Sequence, residues 1–98
     1  MLEIRYTDTF YKWFSGLKNP IAKSAIALRL ERAEKGNFGD FKNLSGNLYE
    51  MRIKTGAGYR IYYTQDGETL YFLLCGGDKS PQEADIKKAR SMIETNTR

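Results

Sequence analysis

Leu48-Tyr49-Glu50-Met51-Arg52-Ile53-Lys54-Thr55-Gly56-Ala57-Gly58-Tyr59-Arg60-Ile61-Tyr62-Tyr63 is the stretch on which the fold turns. Side chains alternate sides along a strand, so Tyr49, Met51 and Ile53 share one face while Leu48, Glu50, Arg52 and Lys54 share the other. Gly56 and Gly58 flank Ala57 and permit the positive φ that a tight reversal needs. Beyond them Tyr59, Ile61 and Tyr63 resume the apolar row, and Arg60 and Tyr62 resume the polar one. The stretch predicts a hairpin with one apolar face and one face gathering Arg52, Lys54, Arg60, Tyr62 and a single acid, Glu50. Cations on a pleated surface suit a phosphate backbone, because strands hold side chains more closely than loops do. The wet side of an ordinary sheet has the same pattern, and from the hairpin alone that plainer reading is the commoner one.

Downstream, Gln65-Asp66-Gly67-Glu68 signals a second turn, and Thr69 to Cys75 is a nearly unbroken apolar run. Such a run is expected of a strand covered on both faces, here the middle of the sheet. It exits through Gly76-Gly77-Asp78-Lys79, and Ser80-Pro81-Gln82-Glu83 reads as a capping box opening the last helix. Two glycines at a strand exit let backbone approach something closely, and they place Asp78 and Lys79 beside the cationic face if the last strand pairs with the one before it. Ile86, Ala89 and Ile93 make a thin apolar stripe, so the last helix is expected to lie weakly on the body or to await a partner.

Upstream, residues 36 to 47 read as a loop pinned by Phe38, Phe41 and Leu44. Before it, Asn19 and Pro20 open a helix whose apolar side runs from Ile21 to Ala33 and which Gly36 ends. Lys23, Arg29, Arg32 and Lys35 alternate with Glu31 and Glu34, a mixed surface expected to be solvated. Thr7 or Asp8 caps an earlier helix in which Phe10, Trp13, Phe14 and Leu17 recur at helical steps, and Leu2 to Tyr6 alternates as a strand. The order is strand, helix, helix, three strands, helix, in a single domain over residues 1–98.

Composition narrows the chemistry. The chain carries a formal net charge of +4, which favours an acidic partner such as nucleic acid or an acidic protein segment. There is no histidine, the commonest metal ligand and the easiest base near neutral pH, so chemistry falls to Lys, Arg, Tyr, Asp or Glu. The single cysteine, Cys75, lies in an apolar run without an activating imidazole and reads as a core residue. With no internal disulfide, no leader and no spanning run, the expected location is the cytoplasm, away from membrane.

The stretches Leu44-Ser45-Gly46-Asn47-Leu48-Tyr49-Glu50-Met51-Arg52-Ile53, Gly58-Tyr59-Arg60-Ile61-Tyr62-Tyr63 and Gly76-Gly77-Asp78-Lys79-Ser80, followed by Gln82, Asp85 and Ile86, carry a family resemblance. In this order they resemble the RelE/HigB superfamily of type II toxins, and among them the small phage-derived, Gp49-like killer proteins of addiction modules. The resemblance spans essentially the whole chain. It implies an α+β fold, β-α-α-β-β-β-α, with a helical hairpin packed on a small mostly antiparallel sheet and a C-terminal helix.

It also implies a ribosome-dependent endoribonuclease that cuts messenger RNA through the RNA's own 2′-hydroxyl, with no metal or cofactor, and that a neighbouring antitoxin neutralises. That antitoxin is expected to be a helix-turn-helix, HigA-like protein, and the other partners are the ribosome and its message. The catalytic positions it implies are Arg60, Arg52, Lys54 and, most nearly, Lys79; the residues beside them add Asp78 as a further catalytic candidate, with Tyr62, Glu50 and Lys42 as candidate RNA contacts. Arg52 and Arg60 would take the phosphate, Lys54 and Lys79 would move protons or neutralise charge, and Tyr62 would stack on or hydrogen-bond to the RNA. Asp78, Glu50 and a Lys54 crowded by arginines are the competing bases. Two departures stand out: no histidine in the Gly-Gly-Asp-Lys region and no tyrosine in the final helix, the positions some relatives use. A ParE-like inhibitor of DNA gyrase, built on the same fold without catalysis, is the alternative.

Overall fold

Thr7 is where the first strand becomes the first helix, and its hydroxyl serves both. In the computed structural model, which describes residues 2–77 and 81–96, its oxygen accepts from the amide of Phe10 and its proton goes to the carbonyl of Leu73. Its own amide donates to the carbonyl of Phe72. One residue thus ends β1 (Glu3–Tyr6), caps α1 (Asp8–Ser15) and ties both to a strand far along the chain. Asn19 repeats the device for α2 (Pro20–Glu34), its side-chain oxygen accepting from the amides of Ile21 and Ala22, with Pro20 at the first position. Gly36, at φ 89°, ends that helix.

Four strands follow where three were expected. β2 (Phe41–Ser45) lies within the segment read as a loop and pairs antiparallel with β3 (Leu48–Ile53), Phe41 opposite Met51 and Lys42 opposite Glu50. β4 (Tyr59–Asp66) pairs antiparallel with β3, and β5 (Thr69–Gly77) pairs antiparallel with β4. β1 returns to lie parallel to β5, so the sheet order is β1-β5-β4-β3-β2. The middle strand is β4 and not the apolar β5, which is interior by one place. The turn between β3 and β4 has Gly56 at φ 60° and Gly58 at φ 88°, the left-handed conformations expected there.

The sheet is covered on both faces. On one, Phe10, Ile26, Leu30 and Ala33 pack against Met51, Ile53, Ile61, Tyr63, Leu70 and Phe72. Aromatic rings fill this core, with Phe10 stacked on Phe14 and Tyr63 on both Phe38 and Tyr49. On the other, α3 (Gln82–Asn96) sets Ala89, with Ile86, Met92 and Ile93, against Leu48, Tyr62, Leu73 and Leu74. The last helix is therefore seated by a second core and does not lie loosely. A register shift between β4 and β5 skips Leu73 and helps feed this layer, because Tyr62 faces Leu74 while Tyr63 faces Phe72.

Arg29 departs from the expectation of a solvated helix surface. Its guanidinium donates to the backbone oxygens of Arg52, Phe38 and Asp40, at 2.7, 3.1 and 3.2 Å, and so clamps α2 to the end of β3 and to the strand-entry segment. Gly39, at φ 62°, lies against that clamp: a Cβ there would come within 2.8 Å of the guanidinium.

Candidate nucleic-acid interface

Register brings the two arginines together. Arg52 on β3 stands directly opposite Arg60 on β4, and the next residue across the sheet is Gly76, which adds no side chain to the row. With Ile53, Lys54, Gly58 and Tyr59 they line an open depression of about 230 Å³ at the end of the hairpin. Lys54 is exposed. Lys42 is exposed on the edge strand, one row away. Arg60 is half-buried, its Nη1 3.5 Å from the carbonyl of Gly77. Asp78 and Lys79, together with the Ser80 cap, lie outside the described residues.

The row behind the arginines differs from the expected wet face. It runs Lys42, Glu50, Tyr62, Leu74 across β2 to β5, and α3 covers its centre. Glu50 is 0% exposed. One carboxylate oxygen accepts from Arg52 Nε at 2.8 Å and the other from Gln82 Nε2 of α3 at 2.7 Å. That hydrogen bond holds the Arg52 guanidinium still more firmly in its charged form. Glu50 is thus corrected from an RNA-facing acid to a buried one, because Leu48 and Tyr62 beside it draw α3 over this part of the sheet. Tyr62 needs the same correction. Its ring is 0% exposed and cannot stack on a base, and its hydroxyl is buried with no hydrogen-bond partner among the described residues. Burial first, then the charges of Glu50 and Asp85, push its phenol up to about 12. Cys75 is largely shielded, and burial, with the charge of Asp85, pushes its thiol up, away from thiolate chemistry.

Two residues of the site went unread in the sequence. Arg29 falls on the stripe Ala22, Ile26, Arg29, Ala33, whose four- and three-residue steps mark the buried side of α2, and that spacing was the available signal. Gln82 carried none, since its role depends on Glu50 lying beneath the first turn of α3. Among the described residues no three His, Cys, Asp or Glu side chains come together as metal ligands, and no helix is long and apolar enough to cross a membrane.

This architecture, three helices about a five-stranded mostly antiparallel sheet, is similar to that of the RelE toxins. The isolated RelE toxin of E. coli superposes with a TM-score of 0.68, covering 93% of this chain and 99% of that one at 13% identity. The RelB-RelE antitoxin-toxin complex of Methanococcus jannaschii matches with a TM-score of 0.62 over 84% of this chain and 96% of that one, at 24% identity. An uncharacterized protein of Haemophilus influenzae is 45% identical over 93 residues, 95% of this chain and 94% of its own length. Residues 12–95 match the model of the phage-derived Gp49-like proteins (DUF891). The chain belongs to that family.

Proposed function

We propose that this protein is the toxin of a type II toxin-antitoxin module and a ribosome-dependent messenger endoribonuclease. The observation that carries the reading is the pairing of Arg52 with Arg60 on adjacent strands in an open depression that also takes in Lys54. RNA brings its own nucleophile. The protein must deprotonate a 2′-hydroxyl, stabilise charge on the phosphate in flight and protonate the leaving 5′-oxygen. Arg52 and Arg60 take the phosphate, the step for which fixed cations in a sheltered groove are worth most. Lys54 and Lys79 neutralise charge or deliver the proton, and Lys42 tracks the backbone at the rim. With Glu50 enclosed and both its oxygens engaged, Asp78 is the carboxylate left as base. The cationic lining repels a divalent metal, which supports chemistry through the 2′-hydroxyl alone. Placement of the message by the ribosome supplies the rest of the geometry.

The partner in this reading is an antitoxin whose acidic segment covers the groove, supported by the +4 charge and by the likeness to a toxin solved with its antitoxin. The site of action is the translating ribosome in the cytoplasm. Induction in a bacterial cell, followed by mapping of message ends, tests it. Cuts inside translated messages are expected from wild type and are lost in a folded Arg60→Ala chain. Intact messages with broken DNA overturn the proposal.

A further inference from the structure

We infer that Glu50 is a positioning residue for the cationic groove: its buried carboxylate fixes the Arg52 guanidinium through Nε and makes that fixing depend on the seat of α3 through Gln82. The inference rests on the proposed nuclease reading and adds a part to it. Glu50 and Arg52 are two residues apart on one strand and so share a face. A guanidinium has five N–H groups, and Glu50 engages the one on Nε at 2.8 Å. Among the described residues no hydrogen-bond partner takes the four on Nη1 and Nη2, and one from each nitrogen makes the end-on fork that a phosphate can take. Arg60 stands directly across, so the two guanidiniums repel, and the charge of Glu50 is what lets Arg52 stay in the row.

The carboxylate itself is held from two further sides. Gln82 Nε2 donates to its second oxygen at 2.7 Å from the first turn of α3, and the Tyr62 ring stands opposite it in register. A carboxylate with no exposed surface and both oxygens occupied cannot reach a substrate proton, so the role left to it is to aim a neighbour. The chain of contacts is Gln82 to Glu50 to Arg52, from helix to strand to groove. Lifting the first turn of α3 would free Glu50 to follow solvent and would take Arg52 out of line without touching any residue that meets RNA.

The test uses the full chain and two readouts. In nitrogen-15 spectra the Arg52 Nε–H is expected to be resolved and slow to exchange with water, to merge with the solvent-exposed arginines in Glu50→Gln, and to exchange faster in Gln82→Ala. In single-turnover cleavage of a message on purified ribosomes, Glu50→Gln is expected to slow the step about tenfold and Gln82→Ala about threefold, with little change in half-saturating concentration. In an Arg52→Lys background, where no Nε–H exists, Glu50→Gln should add less than about twofold. An unchanged Nε–H in Glu50→Gln, or losses that multiply in the double variant, overturns the inference. A wild-type chain that shows the protected Nε–H but leaves messages whole overturns the nuclease reading and not the tether. If Glu50→Gln does not fold, the Gln82→Ala exchange rate decides: a value equal to wild type overturns the link to α3.

Discussion

Arg29 and Glu50 are the two charged side chains whose positions say most about how this small domain builds a cationic groove. Arg29 is drawn out of water by three backbone oxygens, and burial lowers its pKa from the usual arginine range, although it stays charged. Truncation takes a donor from the carbonyls of Phe38 and Arg52, while that of Asp40 keeps the Arg52 amide, so Arg29→Ala is expected to cost about 1 kcal/mol in urea unfolding. Cleavage should fall along with it, because the carbonyl of Arg52 is one of the three. Gly39→Ala belongs to the same clamp and should destabilise through both its φ of 62° and the contact with Arg29.

The tyrosines give a pH prediction with a definite sign. Burial raises the Tyr62 phenol to about 12 and raises Tyr63 as well, from an ordinary value of 10.0, and among the described residues neither hydroxyl has a partner. A group whose folded value is raised contributes its stability fully below the unfolded value and loses it as pH climbs through the folded one. The urea midpoint of wild type should therefore fall from about pH 10 toward about pH 12 faster than that of the Tyr62→Phe, Tyr63→Phe double variant. At neutral pH the double variant should be as stable or more so, since it removes two unsatisfied polar atoms. A pH profile identical in both chains would show that these phenols ionise without opening the fold.

At the scale of elements, the strands of the hairpin and the caps at Thr7 and Asn19 were legible because each rests on local chemistry: alternation, left-handed glycines and a side-chain oxygen facing free amides. β2 was not. Phe41-Lys42-Asn43-Leu44-Ser45 lacks β-branched residues, its register shifts between Asn43 and Ser45, and its burial is slight, so pairing with β3 and not its own pattern makes it a strand. The Asn43 amide closes its turn by donating to the carbonyls of Gly46 and Leu48. Asn43→Ala should accordingly loosen β2 alone, by about 1 kcal/mol, seen as faster amide exchange at residues 41–45 with the rest of the sheet unchanged.

The seat of α3 was misread for a related reason. Glu50, Arg52 and Tyr62 look like a solvated row, and only their juxtaposition with Leu48, Leu73 and Leu74 across three strands makes an apolar patch large enough to draw a helix over it. The candidate site was legible to the same extent. Arg52, Lys54 and Arg60 could be placed from alternation, whereas the burial of Glu50 and Tyr62 is a consequence of tertiary packing that no local pattern encodes.

For the whole molecule the question is whether the +4 charge acts as a diffuse attraction or through one face. Lys23 offers the control, because its ammonium lies 5.4 Å from the Phe14 ring in the layer of α1 and α2, on the side of the sheet away from α3. If the groove holds the message, each of its cations displaces counterions from single-stranded RNA, and the logarithm of affinity should fall with the logarithm of salt by about 0.7 per phosphate neutralised. Binding of a cleavage-resistant RNA, methylated at its 2′-hydroxyls, is then expected to lose about 0.7 from that slope in Lys54→Gln and again in Arg60→Gln. Lys23→Gln should leave the slope as it was. Equal losses from all three substitutions would mean that the charge works as a uniform field, and the paired arginines would have to be given another role.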